Sequence, residues 1–360
     1  MPYQQVSQCK FYISTTDWLQ SLGIGSDSYS NLGYSPDVNF YGLNPSSPST
    51  VQYVDVGQGT PAAILKYVYN TSLTIPYNYF AILGHRLATD SGSYYSGGSQ
   101  GDLKFYIGDP WGDHSSVNTN NISGQLNWNT NNNLATGYDG FSIVDFNEIS
   151  MEHEEILLYI ESLTSDIQIG RIIAGRSYTM PHSPDLSLKL SYDYSGIKTI
   201  ETKGGASLSN AFYTKPPMWG DTLGAWELDD GHGINQALSR SGRKIYDLSF
   251  SFLDDGDIFG SNQSLAKTTM ATQIADGTPP ASDFDSDDLA DDNTFNDNVL
   301  TGDNFYSQVI NKTRGLPFIF QPDVNDNTNF IIAKFDQKAF SFQQTAPGLY
   351  STKCRIVETW

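Results

Sequence analysis

The histidines and cysteines of this chain, residue types that often carry catalysis or bind metals, are few and widely spaced. The sequence contains no His-x-x-x-His or Cys-x-x-Cys pair, no phosphate-binding loop and no dinucleotide fingerprint. Its Gly-x-Ser-x-Gly match at residues 97–101 falls in a polar, glycine-rich segment that predicts a loop and not the strand-to-helix elbow of a nucleophilic serine. A glycosidase pair could lie anywhere among the 40 acidic residues, because only the separation of two carboxylates in space identifies it. We therefore predict no enzyme, and we assign no catalytic, cofactor-binding or metal-binding residue. The five histidines are His85, His114, His153, His182 and His232.

The most acidic segment of the chain lies within residues 283–292. The alternation of its first three aspartates would suit the oxygen ligands of a calcium ion. The segment lacks the glycine and the terminal glutamate of an EF-hand loop. We therefore predict a solvated acidic loop within an insertion near residues 254–301. Its aspartates are Asp283, Asp285, Asp287, Asp288, Asp291 and Asp292.

Three tryptophans, Trp111, Trp128 and Trp219, stand beside glycine, aspartate or asparagine in predicted loops. Exposed aromatic rings can stack on sugars, so these residues are candidates for contacts with a glycan. Aromatic side chains are also enriched where subunits meet. The sequence favours the second role, and a glycan stays the alternative partner.

The charge balance bears on nucleic acids as partners. Lysine and arginine number 20 against 40 aspartates and glutamates, which gives a net charge of -20. Phosphate contacts need clustered lysine and arginine, so the composition argues against a nucleic-acid-binding groove. It favours a surface that repels DNA, or acidity that keeps the protein soluble.

The ends of the chain suggest where the protein is made. Met1 is followed by neither a basic start nor an apolar core, and no apolar run is long enough to cross a bilayer. We expect assembly in a cytoplasm and no membrane contact. Cys9 and Cys354 lie near opposite ends; they could meet if the terminal strands are adjacent, but buried free thiols are favoured.

The composition predicts an all-β fold. Aromatic residues make up 13% and charged residues only 17% of the chain, and 32 glycines separate short apolar runs. A chain of 360 residues has room for two domains. We predict a jelly-roll or β-sandwich domain over residues 1–180 and a β-barrel-like domain with few short helices over residues 181–360.

The predicted boundary follows a hairpin. Residues 156–160 form a short apolar run, and residues 167–173 place three isoleucines and Arg171 on one side. Thr164, Ser165 and Asp166 between them are turn residues. The pattern predicts that the two strands pair with each other.

Other segments predict a series of strands and short helices. Residues 243–253 form a strand with Ile245, Leu248, Phe250 and Phe252 on the apolar side and Tyr246 displaced by a bulge. In the second half, residues 199–202 continue the pairing of the strand at 186–194, before a turn at Gly204–Gly205. In the first half we also predict a helix at 17–22 capped by Thr16 or Asp17, a buried strand at 80–83 ended by Gly84, and loops at 23–50 and 118–133. In the second half we predict helical residues 305–311 and paired strands at 316–321 and 330–335. A closing strand is predicted to place Tyr350, Thr352, Cys354 and Ile356 on one face and Lys353, Arg355 and Glu358 on the other.

Several motifs, in their order along the chain, resemble the distal tail and minor tail proteins of long-tailed bacteriophages. The Gly84–His85 step resembles galactose-binding-like jelly rolls of phage tail proteins, which more often carry asparagine at the place of Arg86. The Ile-Gly-Arg hairpin at 169–171, followed by Ala174–Gly175, an aromatic residue and a proline, resembles the junction of these tail proteins. The C-terminal matches are Leu316, Pro317, Pro347, Gly348, Leu349, Tyr350, Glu358 and Trp360.

This resemblance implies a structural protein of the virion, a ring-forming adaptor at the tail tip that joins the tail tube to the hub or fibres. Such rings are often homo-hexamers through which DNA passes unbound, and the acidic segment would suit the lumen. Here the jelly-roll-like half comes first, the reverse of the usual domain order. A monomeric glycan-binding β-sandwich protein is the alternative, and a tail fibre or tube protein is a third.

Overall fold

The computed structural model describes most of the two ends of the chain and parts of its middle. These residues are 7–30, 49–51, 62–84, 103–108, 114–117, 122–126, 128–130, 134–136, 141–149, 152–161, 167–193, 197–211, 243–258, 303–326 and 329–359. The acidic segment at 283–292 and the histidines at 85 and 232 lie outside them.

β-Strands dominate this part of the chain, which confirms the all-β prediction. The strands are β1 (Lys10–Ser14), β2 (Ser26–Ser30), β3 (Ser49–Val51), β4 (Ala62–Thr74), β5 (Tyr77–Leu83), β6 (Leu103–Gly108), β7 (His114–Val117), β8 (Ile122–Leu126), β9 (Trp128–Thr130), β10 (Leu134–Thr136), β11 (Phe141–Ile149), β12 (Glu152–Glu161), β13 (Ile167–Ile169), β14 (Arg171–Thr179), β15 (Lys189–Asp193), β16 (Ile197–Glu201), β17 (Ser207–Ala211), β18 (Arg243–Asp254), β19 (Phe318–Gln321), β20 (Ile331–Phe335), β21 (Phe342–Ala346) and β22 (Leu349–Glu358).

The helices are short. They are α1 (Thr15–Ser21), α2 (Asp255–Ile258), a π-helical turn (Tyr306–Ile310) and α3 (Asn311–Thr313). The last two confirm the predicted helical residues 305–311. The predicted cap of the first helix was wrong: Ser14 is extended, and its hydroxyl accepts a hydrogen bond from the Asp17 amide at 3.2 Å. The helix therefore begins at Thr15, because Ser14 ends β1 and supplies the cap.

One antiparallel sheet of eleven strands joins the two ends of the chain. Its order is β15-β18-β22-β20-β19-β1-β14-β5-β11-β8, with β21 paired to β22. The N-terminal strand β1 pairs with β14 on one side and with β19 on the other. The sheet thus takes strands from both sides of residue 180, while the division into two domains stays a prediction.

A second sheet corrects the predicted hairpin. Its order is β2-β4-β12-β6-β10-β9, with β7 paired to β6. The two predicted strands exist as β12 and as β13 with β14, but they do not pair, because β12 belongs to this sheet and β14 to the large one. Gly170 separates β13 from β14, and its amide donates to the carbonyls of Leu83 and Gly84 at 3.0 Å.

Two segments predicted as loops contain strands. β2 lies within residues 23–50, and β8 and β9 lie within residues 118–133. These segments show no alternation of apolar and polar residues that would have predicted a strand. Even so, β2 pairs with β4, β8 pairs with β11, and β9 pairs with β10. The prediction for Gly84 is confirmed, because this glycine ends β5 with a φ of 66°.

The core lies on both faces of the large sheet. One cluster contains Phe11, Phe320 and Ile356, and the other contains Tyr12, Tyr79 and other side chains from the opposite face. The apolar face predicted for β18 was partly wrong. Tyr246, Leu248, Phe250 and Leu253 are buried, whereas Phe252 is exposed, because the bulge lies between residues 250 and 253 rather than at Tyr246.

The closing strand β22 follows the predicted alternation except at its end. Its four predicted inward residues, Tyr350, Thr352, Cys354 and Ile356, are buried. Glu358 was placed on the outer face but is buried, in step with the even-numbered residues of the strand. Cys9 and Cys354 are both buried and free, which confirms that prediction.

Candidate functional site

The residues singled out for chemistry are not brought together in the described part of the chain. His182 is exposed, and His114 and His153 lie in β7 and β12. Trp128 lies in β9, so it is part of a strand rather than a loop, and the other two candidate tryptophans are outside the described residues. The described residues contain no group of three or more possible metal ligands, and none of their helices is long and apolar enough to cross a membrane.

A two-stranded hairpin carries exposed apolar side chains. This hairpin, which we call the arm, consists of β16 and β17 and spans residues 197–211. Ile200 and Leu208 are paired across it and are 66% and 61% exposed. The turn confirms the prediction at Gly204–Gly205: the amide of Gly205 donates to the Thr202 carbonyl at 2.9 Å, and Gly205 has a φ of 80°.

The arm makes a small sheet of its own. Strand β16 pairs with β17 and not with β15. The prediction that residues 199–202 continue the pairing of the strand at 186–194 was therefore wrong. An isolated two-stranded hairpin is only marginally stable in water, because one face of each side-chain pair stays wet. Contact with another surface would cover this exposed apolar pair and would stabilise the arm.

Strand β15 ends the large sheet and is a second exposed apolar element. It pairs with β18 on one side, and no described strand pairs with its other side. Leu190 and Tyr192 are 43% and 48% exposed, and Leu186, just before the strand, is 83% exposed. An open strand edge with apolar side chains is a template for pairing with another strand.

A buried ion pair lies where β14 meets α1. Arg171 and Asp17 are each 1% exposed, and the guanidinium contacts the carboxylate directly. Burial raises the pKa of the Asp17 carboxyl, and Arg171 and the bond to Ser14 oppose that shift. The sequence showed the signal for this pair, because an arginine among alternating isoleucines must find an acidic partner when it is buried.

A second polar group lies near this pair. The amine of Lys10 donates to Asp145 Oδ2 at 2.6 Å, and the Tyr12 hydroxyl donates to Gln321 Oε1 at 3.2 Å. The rings of Tyr12 and Tyr79 meet edge to face at 5.0 Å. Burial raises the pKa of the Tyr79 hydroxyl, and nearby acidic groups add to that shift. These contacts fix β1 between its neighbours and form no open site for a ligand.

Lys312 is a buried amine under α1. Its Nζ donates to Gln308 Oε1 at 2.9 Å and lies 5.6 Å from the centroid of the Trp18 ring. Burial lowers the pKa of this amine to about 7. Its side chain is 1% exposed, so it cannot act on a substrate from solution.

A polar groove lies on the outer face of β18 and β22. Its floor includes Ser249 and Lys353, which are opposite each other, and its volume is about 660 Å³. Asp185 on one wall accepts a hydrogen bond from Ser251 at 2.5 Å. The groove is lined by Asp185, Ser187, Ser249, Phe250, Ser251, Gln337, Ala339, Ser341, Gln343, Ser351, Thr352 and Lys353.

No family model matches the chain, and no curated protein matches its sequence.

Proposed function

We propose that this chain is a structural virion protein of a tailed phage, a ring-forming distal tail or baseplate adaptor that joins the tail tube to the hub or fibres. The observation that supports assembly is the arm together with the open edge of β15. Both expose apolar side chains, and they are different surfaces of one molecule. The assignment to a phage tail rests on the sequence motifs at Gly84 and over residues 316–360.

Two different exposed apolar surfaces are compatible with a ring. When one patch of a subunit binds a different patch of the next, the contact repeats head to tail and closes into a ring if the rotation per copy allows it. A self-complementary patch would instead stop at a dimer.

The net charge of -20 supports the same proposal. A lumen through which DNA slides must not bind phosphate, and an acidic surface repels it. We propose that the virion tail is where this protein acts, and that the tube, hub or fibre proteins and further copies of the chain are its partners.

Light scattering on the purified chain, followed by negative-stain imaging, tests assembly. We expect a closed oligomer, and a sixfold ring would agree with the family resemblance. Replacement of the arm's apolar pair, Ile200→Ser with Leu208→Ser, is expected to lower the mass toward that of one copy. The matched control is Leu22→Ser, which removes another side chain that is about half exposed. A monomer at every concentration, with tail proteins absent or present, would refute the proposal.

Glycan binding is a second candidate function, and the groove between residues 185–187 and 337–343 favours it. Ten of its twelve lining residues are polar, and its one acid and one base leave it without net charge. In the described part of the chain, the hydroxyls of Ser187, Ser249 and Ser341 make no hydrogen bond to protein. Free hydroxyls beside a fixed carboxylate suit the hydroxyl groups of a neutral sugar.

A glycan array followed by calorimetry tests this second candidate. Asp185→Ala should abolish binding of any sugar that the array detects, because the carboxylate is the charged acceptor of the groove. Lys338→Ala, an exposed change outside the lining, is the control. Absence of any sugar ligand for the intact chain, or binding unchanged by Asp185→Ala, would exclude this groove as the glycan site.

A further inference from the structure

We propose that the bulge of β18 presents the ring of Phe252 as a stacking platform at one end of the polar groove, and that the groove takes a neutral pyranose sugar with a C–H face on this ring. The inference rests on the second candidate function, which is glycan binding in the groove. It goes further because it names the residue that contacts the apolar face of the sugar and the class of sugar that fits.

The register of β18 and β22 places Phe252 on the same face of the sheet as the groove. In β18, Ser251 and Phe252 stand opposite the single residue Ser351 of β22, which is a β-bulge. The paired residues on either side of the bulge, all of them buried, are Phe250 with Thr352 and Leu253 with Tyr350. The bulge residues therefore belong to the outer face, where Ser251 and Ser351 line the groove.

The bulge reverses the side that Phe252 would take in a regular strand. Tyr246, Leu248 and Phe250 are buried at alternate positions, so an unbroken strand would bury Phe252 next and expose Leu253. Instead Leu253 is buried and the phenyl ring is 66% exposed. Burial of a phenyl ring would stabilise the fold, so its position in solvent lowers stability. Bulges that redirect a side chain are over-represented next to functional sites.

One row of residues on the outer face joins the ring to the polar groups of the groove. Gln343 of β21 lies opposite Ser351, and Ser351 lies opposite the bulge. Directly opposite side chains of antiparallel strands are neighbours on one face. The hydroxyl of Ser251 donates to Asp185 Oδ2 at 2.5 Å, so the carboxylate is held beside the residue that precedes Phe252. An aromatic face and a fixed acceptor therefore lie close together.

These two groups match the two kinds of surface that a pyranose offers. A pyranose carries hydroxyl groups around its rim and a patch of C–H groups on a face of the ring. The face of a phenyl ring is electron-rich and attracts C–H groups, whereas a carboxylate accepts hydrogen bonds from hydroxyls. Asp185 and Lys353 balance each other in the groove, and the net charge of -20 on the chain repels anions. A neutral sugar is therefore favoured over an acidic one.

Saturation-transfer NMR with methyl β-D-galactopyranoside and methyl β-D-glucopyranoside, at millimolar concentration, tests the platform. We expect at least one of these glycosides to bind. The C–H protons on one face of the bound sugar should receive the most saturation from the protein. The same protons should move upfield, because an aromatic ring shields the nuclei above its face. Methyl β-D-glucuronide, which has a carboxylate on the same kind of ring, should bind more weakly.

Substitutions of Phe252 separate the aromatic face from apolar area alone. Phe252→Leu should weaken binding of the glycoside roughly two- to tenfold and should remove the upfield shift, whereas Phe252→Tyr should keep both. The matched control is Leu208→Ala, which removes a side chain of similar exposure on the arm and should leave binding unchanged. Because Phe252 lies mostly in solvent, its variants should melt like the wild-type chain, and thermal unfolding checks this.

The results distinguish the platform from the groove as a glycan site. Binding that falls with both Phe252→Leu and Asp185→Ala supports both proposals. Binding that falls with Asp185→Ala but not with Phe252→Leu, or saturation spread evenly over the sugar protons, overturns the platform and leaves the groove as the glycan site. If the intact chain binds neither glycoside, the platform is refuted, and the second candidate function falls with it only when the glycan array is also silent.

Discussion

Removal of the buried cation at Arg171 should strongly destabilise the fold. Arg171→Met keeps most of the length of the side chain and leaves the carboxylate of Asp17 without its cation at 1% exposure. Loss of one partner of a buried ion pair costs about 3–5 kcal/mol. Asp17→Leu should cost about the same, because arginine cannot release its proton and would stay charged in the interior.

The double variant, Asp17→Leu with Arg171→Met, should recover most of this loss. Replacement of a whole buried ion pair by apolar side chains of similar size is often neutral or stabilising, since no charge then has to lose its water. We expect the double variant to lie within about 2 kcal/mol of the wild-type chain. The coupling energy between the two sites is therefore expected to be large.

The pH dependence should distinguish the two single variants. Without Arg171, burial raises the pKa of Asp17 further in the folded state, so the folded protein binds a proton more readily than the unfolded chain. Arg171→Met should therefore become less destabilised as the pH falls. Asp17→Leu should show no such recovery, because the remaining arginine stays charged.

Urea unfolding followed by tryptophan fluorescence, to which the buried Trp18 beside Asp17 contributes, measures these differences. Circular dichroism of the same samples checks that secondary and tertiary structure are lost together. Single variants that lose less than about 1 kcal/mol, or a double variant that loses the sum of the two single effects, would contradict the role given to the pair.

Three further predictions concern other buried positions. Gly175→Ala should sharply reduce the yield of folded protein, because its methyl group would lie 2.0 Å from the carbonyl oxygen of Ile13; soluble expression and thermal unfolding measure this, and a normal melting curve would contradict it. Burial raises the pKa of Glu358 to about 7, so the folded state disfavours the charged carboxylate. The free energy of unfolding should therefore fall as the pH rises toward 7. Urea titrations at several pH values measure this slope, and Glu358→Gln should flatten it. Burial lowers the pKa of Lys312 to about 7, so the free energy of unfolding should rise as the pH increases above 7. Lys312→Met should remove that rise. If the variant keeps the same dependence of stability on pH, the amine is not responsible.

The sequence located strands better than it located their partners. The alternation in β22 and the apolar character of β5 identify both strands because each has a buried face. The hairpin predicted at residues 156–173 was wrong, although both of its strands exist. Local alternation reports which face of a strand is buried, whereas the choice of partner depends on contacts such as those of β14 with β1, which lie more than 150 residues apart.

Polar strands were the other weakness. The segment that became β2 has serine at three of its five positions, and the one that became β8 has serine, glycine and glutamine between two apolar ends, so no periodic apolar signal marks them. They form because a neighbouring strand offers an edge, which is a property of the sheet and not of the segment. The bulge in β18 was predicted at Tyr246 but lies between residues 250 and 253. One extra residue exchanges the faces of the residues after it, so Phe252, predicted to be on the apolar side, is exposed.

The surface that supports assembly was only partly visible in the sequence. The pattern over residues 186–202 predicted continued pairing, and the glycines predicted the turn of the arm. What the sequence could not give is that β16 pairs with β17 and not with β15, because local alternation does not report which strand edge a segment chooses. Only the arrangement of strands shows that the pairing is left unmade.

The overall charge and the proposed contact act in opposite directions. A net charge of -20 on each copy makes copies repel one another at long range, so a contact between them must draw on short-range interactions. The arm and the β15 edge offer apolar side chains for such a contact, because Leu190, Ile200 and Leu208 are exposed. We therefore expect that association of this chain, if it occurs through these surfaces, depends more on the burial of apolar side chains than on long-range charge, so that added salt, which screens the repulsion, strengthens it.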